Sequence, residues 1–358
     1  MKRRFRALGP WLCALGLSAG PVAAQDDPTA TTADEVVEES ADAPAAAEPP
    51  PAAAEPRPGT PRMIAQLLFI RPTLDDTAFV LSSPVSTTFP NGHRESNEFE
   101  HEPAFRIGAG YTVAESGRSV ELSYSRLSAN ADETVRGDFL WATVGHPNFA
   151  TSFEDYTGSA SASIDADYQQ IDLHVTQPWQ VSGIELGLLF GLEWADFRVG
   201  ERYRFVNDDT ATTGVVSGAS RSWGIGPEIG LSLGYEICRE CGIPGGAFSL
   251  SAGSSLSLLL TDTHTRASSV ASGAPLVSIH DEETSRVITA IHASAGFAYA
   301  MPVTERISAS AGVGYQIDSY LDGLTRAAFV DDVGQSLSST RDYDFDLQGI
   351  YLSVGAVF

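Results

Sequence analysis

From Ile350 to Phe358 an apolar or small apolar side chain recurs at every second position: Ile350, Leu352, Val354, Ala356 and Phe358. The residues between them are Tyr351, Ser353 and Gly355, with only Val357 breaking the pattern. A period of two means an extended strand with two unlike faces. The pattern recurs upstream. Trp223, Ile225, Ile229, Leu231, Leu233, Tyr235 and Ile237 share one phase, against Ser222, Gly224, Gly226, Glu228, Gly230, Ser232, Gly234 and Glu236. Residues 248–260 and 307–318 repeat it, again with Ser and Gly opposite the large apolar groups. A helix would scatter these residues around its circumference.

The alternation predicts strands over 62–71, 103–113, 119–128, 167–177, 184–198, 220–237, 247–263, 286–300, 307–321 and 345–358. Twelve strands result if parts of 79–89 and 139–146 also span. The connections alternate in length. Long segments at 72–102, 129–166, 199–219, 264–285 and 322–344 alternate with short turns such as 114–118 and 178–183. A soluble sandwich gives no reason for this asymmetry, whereas an outer-membrane barrel has short periplasmic turns, long extracellular loops and an even strand number. The fold class expected is therefore all-β, a transmembrane antiparallel barrel of about ten strands. Closure pairs the last strand with the first, so the chain can stop on Phe358 without an unpaired edge. Phe358 also has the place of the terminal aromatic residue that the barrel assembly machinery recognises.

The N-terminus reads as a signal peptide over 1–24, with Lys2, Arg3, Arg4 and Arg6 before a short apolar stretch and a small-residue cleavage site at Ala24/Gln25. Residues 25–61 are a disordered Ala/Pro/Glu linker on the periplasmic side, and 62–358 are the barrel. The chain has 22 Lys+Arg and 46 Asp+Glu; without the four bases of 1–24, 18 bases face 46 acids, a net charge of about −28. Such acidity excludes nucleic acid as a partner. No run of about 18 apolar residues exists for a transmembrane helix. Cys238 and Cys241 sit in a Gly/Pro turn without further zinc ligands nearby, which suits a structural disulfide or idle thiols.

Six ordered segments resemble the Legionella-type major outer membrane protein family: 67–76 (LLFIRPTLDD), 105–111 (FRIGAGY), 222–235, 249–260, 312–326 and 347–358. Ile70 departs from the family, which tends to carry an aromatic residue before the basic-Pro pair. The resemblance implies a barrel and a pore, and supplies no catalytic residues to carry over.

Other motifs carry less. Gly224-x-Gly226-x-x-x-Gly230 lies on one strand face with no helix after it, so it is no dinucleotide site. Glu100, His101 and Glu102, Asp262 with His264, and His280 with Asp281 pair a base with carboxylates, as acidic loops do by chance. The acidic pairs Asp75-Asp76, Asp208-Asp209, Asp281-Glu282-Glu283 and Asp331-Asp332 match no defined calcium loop. No enzyme, metal or cofactor is predicted.

The phase opposite the large apolar residues assigns a lumen lining. It contains Glu121, Asp172, Glu185, Glu193, Glu228, Glu236 and Asp318, against Arg106 and Arg286, with His174 and His292 in the same phase. Rings of carboxylates select cations. The expected function is a narrow porin-like channel for small solutes with cation preference. The alternative is a non-conducting structural or adhesive barrel acting through its outer loops, with Glu228 and its neighbours paired to Arg106 as a plug. Arg126 falls in the lipid phase and would reach lipopolysaccharide phosphates. The expected partners are outer-membrane lipid and lipopolysaccharide, the assembly machinery, and small solutes or ions. The oligomeric state is left open.

Overall fold

The computed structural model describes residues 59–86, 91–146, 149, 151–239, 246–304, 306–329 and 338–358. The signal segment, the linker up to residue 58, Cys241, Asp331 and Asp332 lie outside these residues. The strands are β1 (Thr60–Leu74), β2 (Ala78–Ser82), β3 (His93–Ser96), β4 (Glu102–Thr112), β5 (Ser119–Ala142) and β6 (Tyr156–Val181). They continue as β7 (Ile184–Asn207), β8 (Thr212–Arg239), β9 (Ala247–Ala271), β10 (Ala274–Pro302), β11 (Ser308–Phe329) and β12 (Ser338–Val357).

Ten of these close into one antiparallel ring in the order β1-β4-β5-β6-β7-β8-β9-β10-β11-β12. The seam pairs β1 with β12 from Arg62↔Val357 to Leu74↔Phe345, and the Phe358 amide donates to the Pro61 carbonyl at 3.0 Å. The ring thus has no free edge to expose to lipid. Among the described residues, the segments 79–86 and 139–146 add no further spanning strands. β2 and β3 form a hairpin on the upper end of β5, held by three pairs from Val80↔Ala142 to Ser82↔Leu140.

The expected long loops are corrected in four of five cases. β5 runs on to Ala142, β6 begins at Tyr156, and the β7–β8, β9–β10 and β11–β12 hairpins extend through most of 199–219, 264–285 and 322–344. β10 alone has 29 residues, where about 9–11 suffice to cross a bilayer. Two hairpins at opposite ends close on Ser-Gly: Ser182–Gly183 (φ 52° and 83°) and Ser272–Gly273 (φ 50° and 80°). Two consecutive left-handed residues make the type I′ turn, whose twist matches paired strands.

The reason for the missed extensions is a change of sign along each strand. In the lower half, Leu122, Ile171, Leu173, Leu192, Ile225 and Leu260 point outward and are exposed, as a lipid-facing belt requires. Above it the outward positions become Arg126, Asp167, Asp196, Asp262 and Asp346, while the inward ones become apolar. β6 shows the switch within one strand. Ala160, Ala162, Ile164, Ala166 and Tyr168 are buried inside, but further down the inward residues are Gln170, Asp172 and His174. The lower half is polar within and apolar without; the upper half is built like a soluble protein. Arg126 is the first outward residue above that boundary on β5.

Candidate functional site: the closed middle of the barrel

In a ring of ten, β6 and β7 stand opposite β11 and β12. Side chains from these facing walls nevertheless touch. Phe197 of β7 stacks on Phe345 of β12, with centroids 5.6 Å apart and planes 10° from parallel. Tyr320 of β11 lies 5.1 Å from Phe197, and its hydroxyl is 2.8 Å from that of Tyr168 on β6. All four rings are buried. A small barrel has an interior just wide enough for side chains to fill, and here large aromatic groups fill it. Higher up, Phe79, Phe149, Phe153, Tyr203 and Phe205 form a second apolar layer.

Directly beneath the rings lies a buried polar cluster. Glu193 of β7 is 0% exposed. It accepts hydrogen bonds from Tyr320 Oη at 2.8 Å and Gln170 Nε2 at 3.3 Å. His292 of β10 spans two carboxylates, with Nε2 at 3.0 Å from Glu193 Oε2 and Nδ1 at 2.9 Å from Asp318 Oδ1. Each contact needs one proton between its two atoms. Gln316 Nε2 donates to Asp318 at 3.0 Å, and Arg106 Nη1 to Gln316 Oε1 at 3.2 Å. Every carboxylate oxygen named here has a donor, as burial demands.

The predicted lining residues thus separate by height. Glu193 and Asp318 belong to the plug. Arg106 is bonded to Ser125, Gln66 and Gln316 rather than to Glu228. The expected pairing of Arg106 with Glu228 is therefore corrected: its Nε and Nη1 donate to neutral side-chain oxygens instead. Asp172, Glu228, His174 and Glu121 line a chamber of about 220 Å³ on the short-turn side of the plug. Glu121 is paired with Arg62 from β1. Glu185 lies near the short-turn end, opposite Gln180, and is exposed; Glu236 lies at that same end of β8. Arg286 is withdrawn into a pair with Asp342. Phe358 sits on the seam.

On the long-hairpin side a larger cavity of about 570 Å³ is lined by Val199, Glu201, Tyr203, Arg326 and Tyr343 among others. Arg326 pairs with Glu201 and lies 5.2 Å over the Tyr343 ring. Burial works against its charge, but Glu201 outweighs burial and holds the guanidinium above its ordinary range. Burial and the neighbouring Glu201 push the Tyr203 hydroxyl up.

Sequence reasoning missed the rings. Tyr168, Phe197, Tyr320 and Phe345 stand in the lumen phase two to four residues from Gln170, Glu193, Asp318 and Leu347. A bulky aromatic group in that phase was the available signal. Of the paired-base motifs, Asp262 accepts from Ser285 Oγ at 2.6 Å and His101 is exposed, while the side chains of His280 and Asp281 lie outside the described residues. Among the described residues no three acidic, His or Cys side chains converge on a point that could hold a metal. Asp76 is taken up by Arg94 and Arg341, and Asp209 by the Thr157 amide. Cys238 is disulfide-bonded.

The family described as Legionella pneumophila major outer membrane protein precursor matches residues 62–358. The chain belongs to this family. It is an outer-membrane β-barrel, embedded in membrane lipid. Comparison with the curated proteins gives no match. Among solved structures, the outer membrane protease OmpT from Escherichia coli has 11% identity and a TM-score of 0.44, covering 86% of this chain and 99% of that one. The Neisseria meningitidis autotransporter NalP translocator domain has 11% identity and a TM-score of 0.35, covering 83% and 88%. The Pseudomonas putida toluene transporter TodX has 8% identity and a TM-score of 0.30, covering 85% and 90%.

Proposed function

We propose that this major outer membrane protein relative is a conduit for small solutes that rests closed, with cation preference once its plug moves. The observation that carries the reading is the polar cluster under the rings, Glu193–His292–Asp318, buried at the membrane-embedded level with a chamber on either side. A plug needed only for stability would be cheaper in apolar side chains, since buried ion pairs rarely beat well-packed hydrophobic groups. Ionisable residues retained at membrane depth commonly mark a path for ions or solutes. Carboxylates outnumber bases along that path, which supports cation preference. A structural or adhesive barrel is the second reading, favoured by the filled upper half.

Selectivity is read best in a background opened by Phe197→Ala with Tyr320→Ala. Reversal potentials in a salt gradient are expected to report cation preference there, weakened several-fold by Glu228→Gln with Glu193→Gln. An anion-selective opened barrel, or selectivity untouched by both neutralisations, overturns the carboxylate assignment.

In this proposal the long hairpins face outward, the short turns and the N-terminal linker face the periplasm, and Phe358 serves the assembly machinery. Arg126 and Arg198, outward and just above the lipid belt, suit lipopolysaccharide phosphates. A cysteine introduced at Thr210, on the β7–β8 tip, is expected to react with a membrane-impermeant thiol reagent on intact cells, and one at Glu115 is not. The reverse pattern inverts the topology.

A further inference from the structure

We infer that the short-turn-side chamber is a binding site for a small organic ammonium, held between Asp172 and Glu228. Asp172 and Glu228 are each only 9% exposed. Both line the chamber of about 220 Å³. Asp172 Oδ2 accepts from Ser123 Oγ at 3.1 Å, but its Oδ1 has no hydrogen-bond partner, and neither has Glu228 Oε2. Buried polar atoms left without partners call for a group the protein does not supply.

The missing group is a donor carrying positive charge. Four carboxylates crowd this level: Asp172, Glu193, Glu228 and Asp318. The bases beside them are Arg106, whose Nε and Nη1 donate to neutral oxygens, His292, whose two nitrogens are taken by Glu193 and Asp318, and His174, which lines the same chamber one step below Asp172 on β6. Glu121 is balanced by Arg62. The chamber is therefore short of cationic hydrogen-bond donors at Asp172 and Glu228. A bare metal ion does not fit, because no three ligating side chains among the described residues converge on one point. An ammonium suits the site better, because it offers three donors to separate oxygens. The chamber's small size limits the rest of the ligand to a short chain. The site deepens the proposed conduit and rests on it for the ligand's route, but not for its binding.

The test is calorimetric titration of the full-length folded protein in detergent with 1,4-diaminobutane and with ethylammonium. 1-Butanol, butyrate and KCl serve as controls. Saturable binding of both amines is expected, with butanol and butyrate inert and KCl a weak competitor. Glu228→Gln and Asp172→Asn, each checked for heat-modifiable migration, are each expected to weaken amine binding about tenfold or more. Binding lost in Asp172→Asn alone still supports the site even if Glu228→Gln fails to fold. No saturable amine binding to the folded wild type, or binding that both folded variants retain, overturns the inference. Bilayer recordings separate the two ideas. Amine binding without conductance in plug-truncated variants sinks the conduit and keeps the site; conductance without amine binding does the opposite.

Discussion

In planar bilayers the wild-type barrel is expected to pass little current, and the Phe197→Ala, Tyr320→Ala, Phe345→Ala variant at least tenfold more. The three rings come from β7, β11 and β12 and meet across the lumen with centroid separations of 5.1–6.4 Å. Truncating them leaves Tyr168 without its aromatic neighbours from the facing wall and strips the apolar layer from the plug, so that water reaches the polar cluster beneath it, which also loses the Tyr320 donor to Glu193. The cost to packing is large, about 3–5 kcal/mol for each buried aromatic group. The ring of strands does not depend on those contacts for closure, because backbone ladders join every neighbouring pair from β1 round to β12, with only local register shifts such as that between Tyr320 and Leu324. Heat-modifiable migration of the variant confirms that it is folded before its conductance is compared. A folded triple variant as silent as wild type, or a wild type that conducts equally, would show that the rings are not the barrier.

Replacing His292 by leucine is expected to destabilise the barrel by about 3–5 kcal/mol, the cost of leaving buried charges unpaired. His292 is the shared partner of Glu193 and Asp318, and no other base in the cluster is free to replace it, since Arg106 is committed to Ser125, Gln66 and Gln316. The unfolding midpoint in urea, measured in lipid vesicles, reports the loss. Adding Glu193→Gln and Asp318→Asn to His292→Leu removes the stranded charges and is expected to recover most of it. If His292→Leu unfolds at the wild-type urea concentration, the cluster does not hold charge as described.

The lower half of this fold was legible because lipid imposes one rule on every strand there. Leu122, Ile171, Leu192 and Ile225 alternate with Ser123, Asp172, Glu193 and Gly224, and that sign alone places Arg106, Glu121, Asp172 and Glu228 on the inner wall. The upper half obeys the opposite rule. Ala160 to Ala166 alternate as cleanly as Ile171 to Val175, but with small apolar groups facing in and Ser or Asp facing out, so hydropathy reads as a loop what is strand. The plug was illegible for another reason. Phe197 and Phe345 meet only after the ring closes, and no local spacing records a contact between opposite walls. Likewise, His292 looks like His174 in the alternation. Only the approach of Glu193 from β7 and Asp318 from β11 distinguishes it.

The reversal of faces along each strand has a mechanical consequence. From Asp196 to Asn207 β7 continues for twelve residues above the membrane boundary, roughly 36 Å end to end at about 3.3 Å per step. With the usual tilt of outer-membrane strands this lifts the Asp208–Ala211 tip roughly 25–30 Å clear of the hydrocarbon. The column beneath it is paired on both sides and packed within, so the tip is a beacon on a stiff mast rather than the end of a loose tether. Anything that touches it meets the same few side chains at one height and spacing. Residues at the tip can be exchanged without disturbing a single lipid contact below.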